Sequence, residues 1–197
     1  MTAVAAPSGL QPVKNLGQRG YNSGVRMFKI TSGYATSIFN GDVVKLNQSG
    51  TGFLEKDTGT TTATPVGIFL GVEYTDATFG KIQKNYWPAS TVASDAVAYV
   101  CDDPAALFRA TSVSSGTTVS GVALESAIGK NAALVQNTGS TANGKSKVAI
   151  GSFAVTATLP IRIIGGVPGS EDSSGNFTEF LVKWNFAFHQ YDKALGL

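Results

Sequence analysis

Charge is what this sequence is shortest of. Only 14% of its 197 residues are Asp, Glu, Lys or Arg, against about 25% in an average soluble domain. A chain this poor in Glu and Lys cannot coat many exposed helices, whose outer faces are normally built from those residues. The little charge present is balanced, 15 basic against 13 acidic residues for a net +2. That leaves neither the basic stripe of a nucleic-acid binder nor the polybasic segment that holds a protein to anionic lipid. No nucleic acid and no membrane is expected as a partner.

Cysteine and histidine are nearly missing. Cys101 is the one cysteine and His189 the one histidine. A single thiol makes no intramolecular disulfide, and this pair cannot assemble the Cys/His frameworks that hold structural zinc. The acids show no EF-hand spacing, so neither metal nor cofactor is expected. Long apolar runs are absent too: Ile68-Phe69-Leu70, within Pro65 to Val72, is far too short to cross a bilayer. Met1 to Pro7 lacks the basic start and apolar core of a secretory signal. A soluble protein made in a cytoplasm is the expectation.

What is abundant is small. The chain has 23 glycines, with Thr, Ser and Ala filling the space left by charge, which suits short strands joined by many turns. Residues 1 to 24 carry Pro7, Pro12 and four glycines without helical or strand periodicity, and read as an extended N-terminal arm. Residues 25 to 197 read as a single β-rich domain. Val25 to Ile30 is strand-like. Val43 to Leu46 and Gly52 to Lys56 flank an Asn47-Gln48-Ser49-Gly50 turn as a hairpin would. Val66 to Tyr74 is a continuous apolar strand whose glycines suggest a bulge or a close backbone approach. Ala96 to Cys101 is a buried strand ended by Asp102-Asp103-Pro104. Val119 to Ile128 is the best helix candidate, with Ser120 to cap it and Gly129 to stop it.

The cleanest signal lies in Phe177 to His189. Thr178, Phe180, Val182, Trp184, Phe186 and Phe188 alternate with Glu179, Leu181, Lys183, Asn185 and Ala187. A period of two predicts one long strand with an aromatic face in the core. The fold expected is mainly β: a β-sandwich or small β-barrel with one short helix and the extended arm.

Four groups of residues invite a chemical reading. Gly139-Ser140-Thr141-Ala142-Asn143-Gly144-Lys145-Ser146 satisfies the G-x-x-x-x-G-K-S phosphate-loop pattern. A phosphate loop must open a helix, yet Val148, Ile150, Phe153 and Val155 alternate as in a strand, with Gly151-Ser152 shifting the phase like a bulge. A polar hairpin loop is the better reading. The carboxylate pairs Asp102-Asp103 and Glu171-Asp172 read as solvated turn residues, because neighbours on a strand point to opposite faces. His189 has no serine elbow and no paired base, so it reads as a rim or interface histidine. Cys101 reads as a core thiol. No catalytic residue is assigned and no enzyme activity is expected. Gln18, Arg19, Tyr21, Asn22 and Arg26 mix cations, amides and an aromatic at the end of the arm. Tyr and Arg are enriched where proteins bind proteins, so these five are the candidate docking residues.

Three stretches carry a resemblance: Asn15 to Gly24, Ile38-Phe39-Asn40-Gly41-Asp42-Val43-Val44-Lys45-Leu46, and Thr64-Pro65-Val66-Gly67-Ile68-Phe69-Leu70-Gly71-Val72. Together they resemble virion structural proteins of marine tailed bacteriophages, of the capsid decoration (cement) type. The resemblance implies a protein on the capsid exterior that binds the major capsid protein and stabilises the shell, often as a homotrimer, through an extended terminus and strand addition. The alternative is a head-fibre or tail module that binds host surface glycans, with Tyr86 and Trp87 as its site if exposed.

Overall fold

In this computed structural model residues 7–16 and 24–194 are described. The strands in chain order are β1 (Gln11–Asn15), β2 (Val25–Lys29), β3 (Ile38–Phe39), β4 (Val43–Leu46), β5 (Leu54–Lys56), β6 (Gly67–Asp76), β7 (Gly80–Lys84) and β8 (Tyr86–Trp87). They continue as β9 (Val97–Cys101), β10 (Ala106–Thr111), β11 (Val113–Ser115), β12 (Thr118–Val119), β13 (Asn131–Val135), β14 (Ala149–Ala154), β15 (Ile161–Gly166) and β16 (Glu179–Trp184). Helix α1 (Leu124–Ala127) stands between β12 and β13, and a single 3-10 turn (Gln190–Asp192) follows β16. The protein is mainly β.

Two antiparallel sheets carry the fold. The first runs β1-β10-β16-β15-β13-β14, and the second β2-β9-β6-β4-β5 with β7 added along the far half of β6. Neither closes on itself, so the arrangement is sandwich-like and not a barrel. The residue order along the second sheet explains its apolar density. Val43, Ile68 and Cys101 join a core shared with Phe108, Phe180, Val182 and Trp184 of the first sheet. Their neighbours Val44, Phe69 and Val100 join a second core with Tyr74 and Trp87. Successive strand residues point to opposite faces, so the centre of the second sheet is buried on both sides, and the first part of β6, Gly67 to Val72, is an unbroken apolar run for that reason. A Cβ on Gly67 would collide with the Cys101 carbonyl, and the β6–β9 register shifts between Phe69 and Gly71. These are the close approach and the bulge that its glycines foretell.

Several expectations are corrected. The described part of the N-terminal segment is not an arm outside the domain. Gln11–Asn15 pairs with β10 as the edge of the first sheet, and Leu10 is fully buried in the shared core. Pro12 hides this from a periodicity reading, but an edge strand tolerates the missing donor. The aromatic strand is shorter than its alternation: Phe180, Val182 and Trp184 are buried, but Phe186 is exposed and β16 ends at Trp184. Asn185 ends it. Its Nδ2 donates to the carbonyls of Leu159 (2.9 Å) and Ala157 (3.3 Å), its Oδ1 accepts from Phe186 N–H (3.0 Å), and the chain turns at Ala187 with φ +65°. The helix shrinks from Val119–Ile128 to one turn. Ser120 N–H is committed to Ser112 O, and Val122 exchanges backbone bonds with Phe177, so Ser120 caps nothing. Gly129, at φ +77°, follows the turn as expected.

A polar knot fastens the sheets where β3 turns into β4. Asp42 is fully buried; its Oδ2 lies 2.8 Å from Lys56 Nζ on β5 and accepts Phe39 N–H at 2.9 Å, while its Oδ1 accepts Ser146 Oγ–H at 2.6 Å. Gly9, at φ +79°, presses into the same place: a Cβ there would stand 2.6 Å from Gly41 O and 2.7 Å from Ser146 Cβ. Only glycine fits.

Candidate docking surface

Of the five candidate docking residues, Gln18, Arg19, Tyr21 and Asn22 lie outside the described residues. Arg26 is described. It sits on β2, the edge strand of the second sheet, which pairs only with β9 among the described strands. Its Nε is 2.9 Å from Asp102 Oδ2, and its guanidinium lies 5.4 Å from the centre of the Tyr191 ring. Tyr191 donates its hydroxyl to the same Asp102 oxygen at 2.8 Å. Burial, with the adjacent carboxylate second, pushes the Tyr191 phenol up to about 12, so it stays a donor. Arg26 itself is mostly exposed, and the ion pair stabilises by only about 0–1 kcal/mol. Its effect is to orient the guanidinium in a cleft of about 320 Å³ bounded by Val25, Asp102, Pro104 and Tyr191.

The reading of Asp102-Asp103 as a solvated turn is corrected for Asp102, which is 5% exposed. The two carboxylates do diverge. Asp103 accepts Asn15 Nδ2–H at 2.8 Å and Ala105 N–H at 2.7 Å, while Asp102 serves Arg26 and Tyr191. The pair therefore ties β1 on one side and β2 on the other. Apolar side chains stand exposed on both of these edges: Val13 on β1 and Leu16 just beyond it, Val25 and Met27 on β2. Leu16 is 50% exposed and Met27 66%, which places them at the surface, not in either core. Tyr191 and Asp102 had no sequence signal as partners of Arg26, because their pairing joins residues far apart in the chain through tertiary packing alone.

His189 is not a rim residue. It is fully buried, 6.5 Å from the Trp184 ring centre and 5.0 Å from that of Tyr191. Its Nδ1 accepts Tyr191 N–H at 3.2 Å and so caps the 3-10 turn. Burial holds its pKa below the ordinary 6.5, partly offset by the Asp192 carboxylate. Below pH 6.5 the unfolded chain thus binds a proton that the folded chain refuses. The stability due to neutral His189 is fully present above the unfolded value and is lost as pH falls toward the folded one. Asp57 acts with the opposite sign. Burial raises its pKa, so stability rises as pH falls through the window just above the ordinary carboxylate value. Urea midpoints are expected to drop between about pH 7 and pH 5.5. The His189→Asn variant, which keeps a capping acceptor, should be flat over that interval; an unchanged slope would remove His189 as the cause.

The other candidates are placed as follows. Gly139 to Ser146 is a turn closed by the Ser140–Lys145 bridge, and strand β14 follows it, not the helix a phosphate loop requires. Its serine is spent on Asp42 and its Lys145 Nζ reaches Asn40 Oδ1 at 3.4 Å. Asp172 Oδ1 accepts the backbone N–H groups of Ser174 (2.8 Å) and Asn176 (3.0 Å), as a turn residue does. Cys101 is a core residue. Trp87 is fully buried against Tyr74, and Tyr86 is half-buried, stacked on Phe39 at 5.5 Å. Trp87 therefore cannot meet a glycan. No group of three or more His, Cys, Asp or Glu that could hold a metal occurs among the described residues, and no described helix is long and apolar enough to cross a membrane. No family model, curated protein or solved structure matches the chain, so the likeness to decoration proteins rests on the three sequence stretches alone.

Proposed function

We propose that this chain is a non-catalytic virion protein that binds the outer surface of a tailed-phage capsid and cements the shell, with the major capsid protein as its partner and a homotrimer as its working form. The observation that carries the reading is the pair of edges β1 and β2, which flank residues 17–23 and expose Val13, Leu16, Val25 and Met27 beside the oriented Arg26. An edge strand presents unpaired backbone groups to a neighbouring chain, and strand addition uses them for affinity while side chains select the partner. The shortage of charge fits the same role, since charged residues are depleted in the buried centre of protein interfaces. Many modest contacts per shell then add by multivalency.

Attachment of purified protein to undecorated heads tests this. The double variant Val25→Lys, Met27→Lys is expected to leave stability within about 0.5 kcal/mol, because both positions are exposed. It should weaken attachment at least about tenfold, because each ammonium must shed its water on docking. Full occupancy by the double variant at wild-type concentration would sink the proposal.

A further inference from the structure

Two cations face each other on the outer side of the first sheet. Arg162 of β15 and Lys183 of β16 are direct cross-strand partners. Their strand neighbours Ile161, Ile163, Val182 and Trp184 point into the shared core. Alternation therefore turns both cations to the opposite face, where each is half-buried. Like charges placed directly opposite destabilise a sheet. Nothing among the described residues offsets this pair, since no carboxylate lies within ion-pair distance of either. Glu179 shares their face of β16, but it stands roughly 13 Å along the strand from Lys183 and pairs with Arg109 at 3.6 Å.

The guanidinium is held in place, but by neutral groups. Arg162 Nε donates to Asn131 Oδ1, and Nη2 donates to Asn185 Oδ1 at 3.2 Å. Both asparagines are themselves fixed. Asn131 Nδ2 donates to Thr156 O at 2.8 Å, and Asn185 Nδ2 to Leu159 O at 2.9 Å. They are 3% and 6% exposed, so their oxygens stay turned to the arginine. Two amide dipoles thus orient the cation without cancelling its charge. Nη1 has no hydrogen-bond partner among the described residues. The Nη1–Nη2 side of a guanidinium is a fork that matches the two oxygens of a carboxylate.

The same bonds bring apolar side chains to this place. Val155 precedes Thr156, whose carbonyl pins Asn131, and Phe186 follows Asn185. They are 88% and 86% exposed, more than any other large hydrophobic residue described. Arg and aromatic residues at the surface are the composition of a protein interface. We infer that the outer face of β15 and β16 is a docking site for an acidic segment of a protein partner. One Asp or Glu carboxylate of that segment sits between Arg162 and Lys183, and an apolar side chain beside it covers Phe186 and Val155. The unanswered pair of cations selects the carboxylate. The exposed apolar pair selects a polypeptide over a bare anion. Two cations and one phenylalanine make too short a track for a nucleic-acid strand. The site shares no residue with the β1–β2 edges, so it operates whether or not the chain cements a capsid.

The first test needs no partner. Lys183→Glu places a carboxylate opposite Arg162, as docking would, so its urea midpoint is expected to rise above wild type. Lys183→Gln only removes the like charge and should rise less. A midpoint for Lys183→Glu that is unchanged or lower overturns the inference. Amide-resolved NMR tests the docking itself, with N-acetyl-Leu-Glu amide and N-acetyl-Glu-Leu amide as probes. At millimolar concentration at least one is expected to shift the Arg162 Nε–H and the amides of residues 155–157 and 183–186. Phe186→Ala, at an exposed position, should weaken that probe about three- to tenfold, and Lys183→Glu should abolish the shifts. The inference fails if neither acidic dipeptide moves these resonances, or if the matching glutamine dipeptides move them equally. It fails too if only inorganic phosphate or oligothymidylate does so, or if the shifts persist in Lys183→Glu. Shifts of the same amides that follow the protein's own concentration would make a second copy the occupant and overturn it as well.

Discussion

A chain lacking residues 1–15 is expected to lose its cooperative unfolding transition, or to melt far below the intact protein, instead of folding as a shortened domain. The reason lies in three contacts made by residues 7–16. Gln11–Asn15 completes the first sheet by pairing with β10 from Arg109 to Ala106, and its removal bares that strand's hydrogen-bonding edge. Leu10 fills the shared core and is 0% exposed; Leu10→Ala alone should cost about 2–5 kcal/mol, by lost transfer energy and the cavity left behind. Asn15 holds Asp103, which steadies the turn between β9 and β10. Since whole domains are stable by only about 5–15 kcal/mol, losing all three together threatens the fold. Urea denaturation followed by tryptophan fluorescence reads the outcome directly, because Trp184 is in the core that Leu10 enters. An unchanged midpoint and slope for the truncated chain would show that this segment is an appendage after all. The consequence for function is practical. Loss of capsid attachment on truncation would not by itself identify the contact residues, so point substitutions on the exposed edges are the informative variants.

The sequence showed the strands better than it showed their limits. Phe180, Val182 and Trp184 alternate and are buried as their period requires. The same alternation continues through Phe186, yet the strand stops, because Asn185 is captured by carbonyls of the Ala157–Leu159 segment. Periodicity reports which residues could share a face, and a tertiary hydrogen bond decides how far the face extends. β1 was hidden for a related reason. Its pairing is backbone to backbone, its one fully buried apolar neighbour, Leu10, precedes the strand, and Pro12 counts against it. The candidate docking surface was legible only in Arg26. The partners that orient it, Asp102 and Tyr191, arrive from the end of β9 and from the C-terminal turn, and no local spacing links them. The strand-like residues after the phosphate-loop pattern argue for a hairpin loop, and strand β14 does follow it; its actual work, handing Ser146 to Asp42, is legible only in the fold.

That hidden role makes Asp42 the most consequential single side chain described. It accepts three donors from three parts of the chain: Lys56 Nζ of β5, Ser146 Oγ of the loop before β14, and its own turn at Phe39 N–H. Asp42→Ala is therefore expected to destabilise by about 3–5 kcal/mol, the cost of leaving a buried partner charge without its counter-ion. Lys56 cannot easily escape to water, since its side chain is only 10% exposed. Asp42→Asn keeps an acceptor for Ser146 and Phe39 but not the counter-charge, so it should fall between wild type and Asp42→Ala. The double variant Asp42→Asn, Lys56→Met removes both charges together and should recover part of the loss, because an apolar replacement for a buried ion pair is often tolerated. A double-mutant cycle by urea denaturation isolates the coupling, for which 0.5–3 kcal/mol is the usual range, so about 1 kcal/mol or more is expected here. Additive losses, with no recovery in the double variant, would mean that the Lys56 ammonium contributes nothing to the knot and that Ser146 and the Phe39 amide hold Asp42 unaided. A recovered double variant would identify the charge pair as the joint that locks β5 and the turn before β4 together, with Ser146 carrying that lock across to the first sheet.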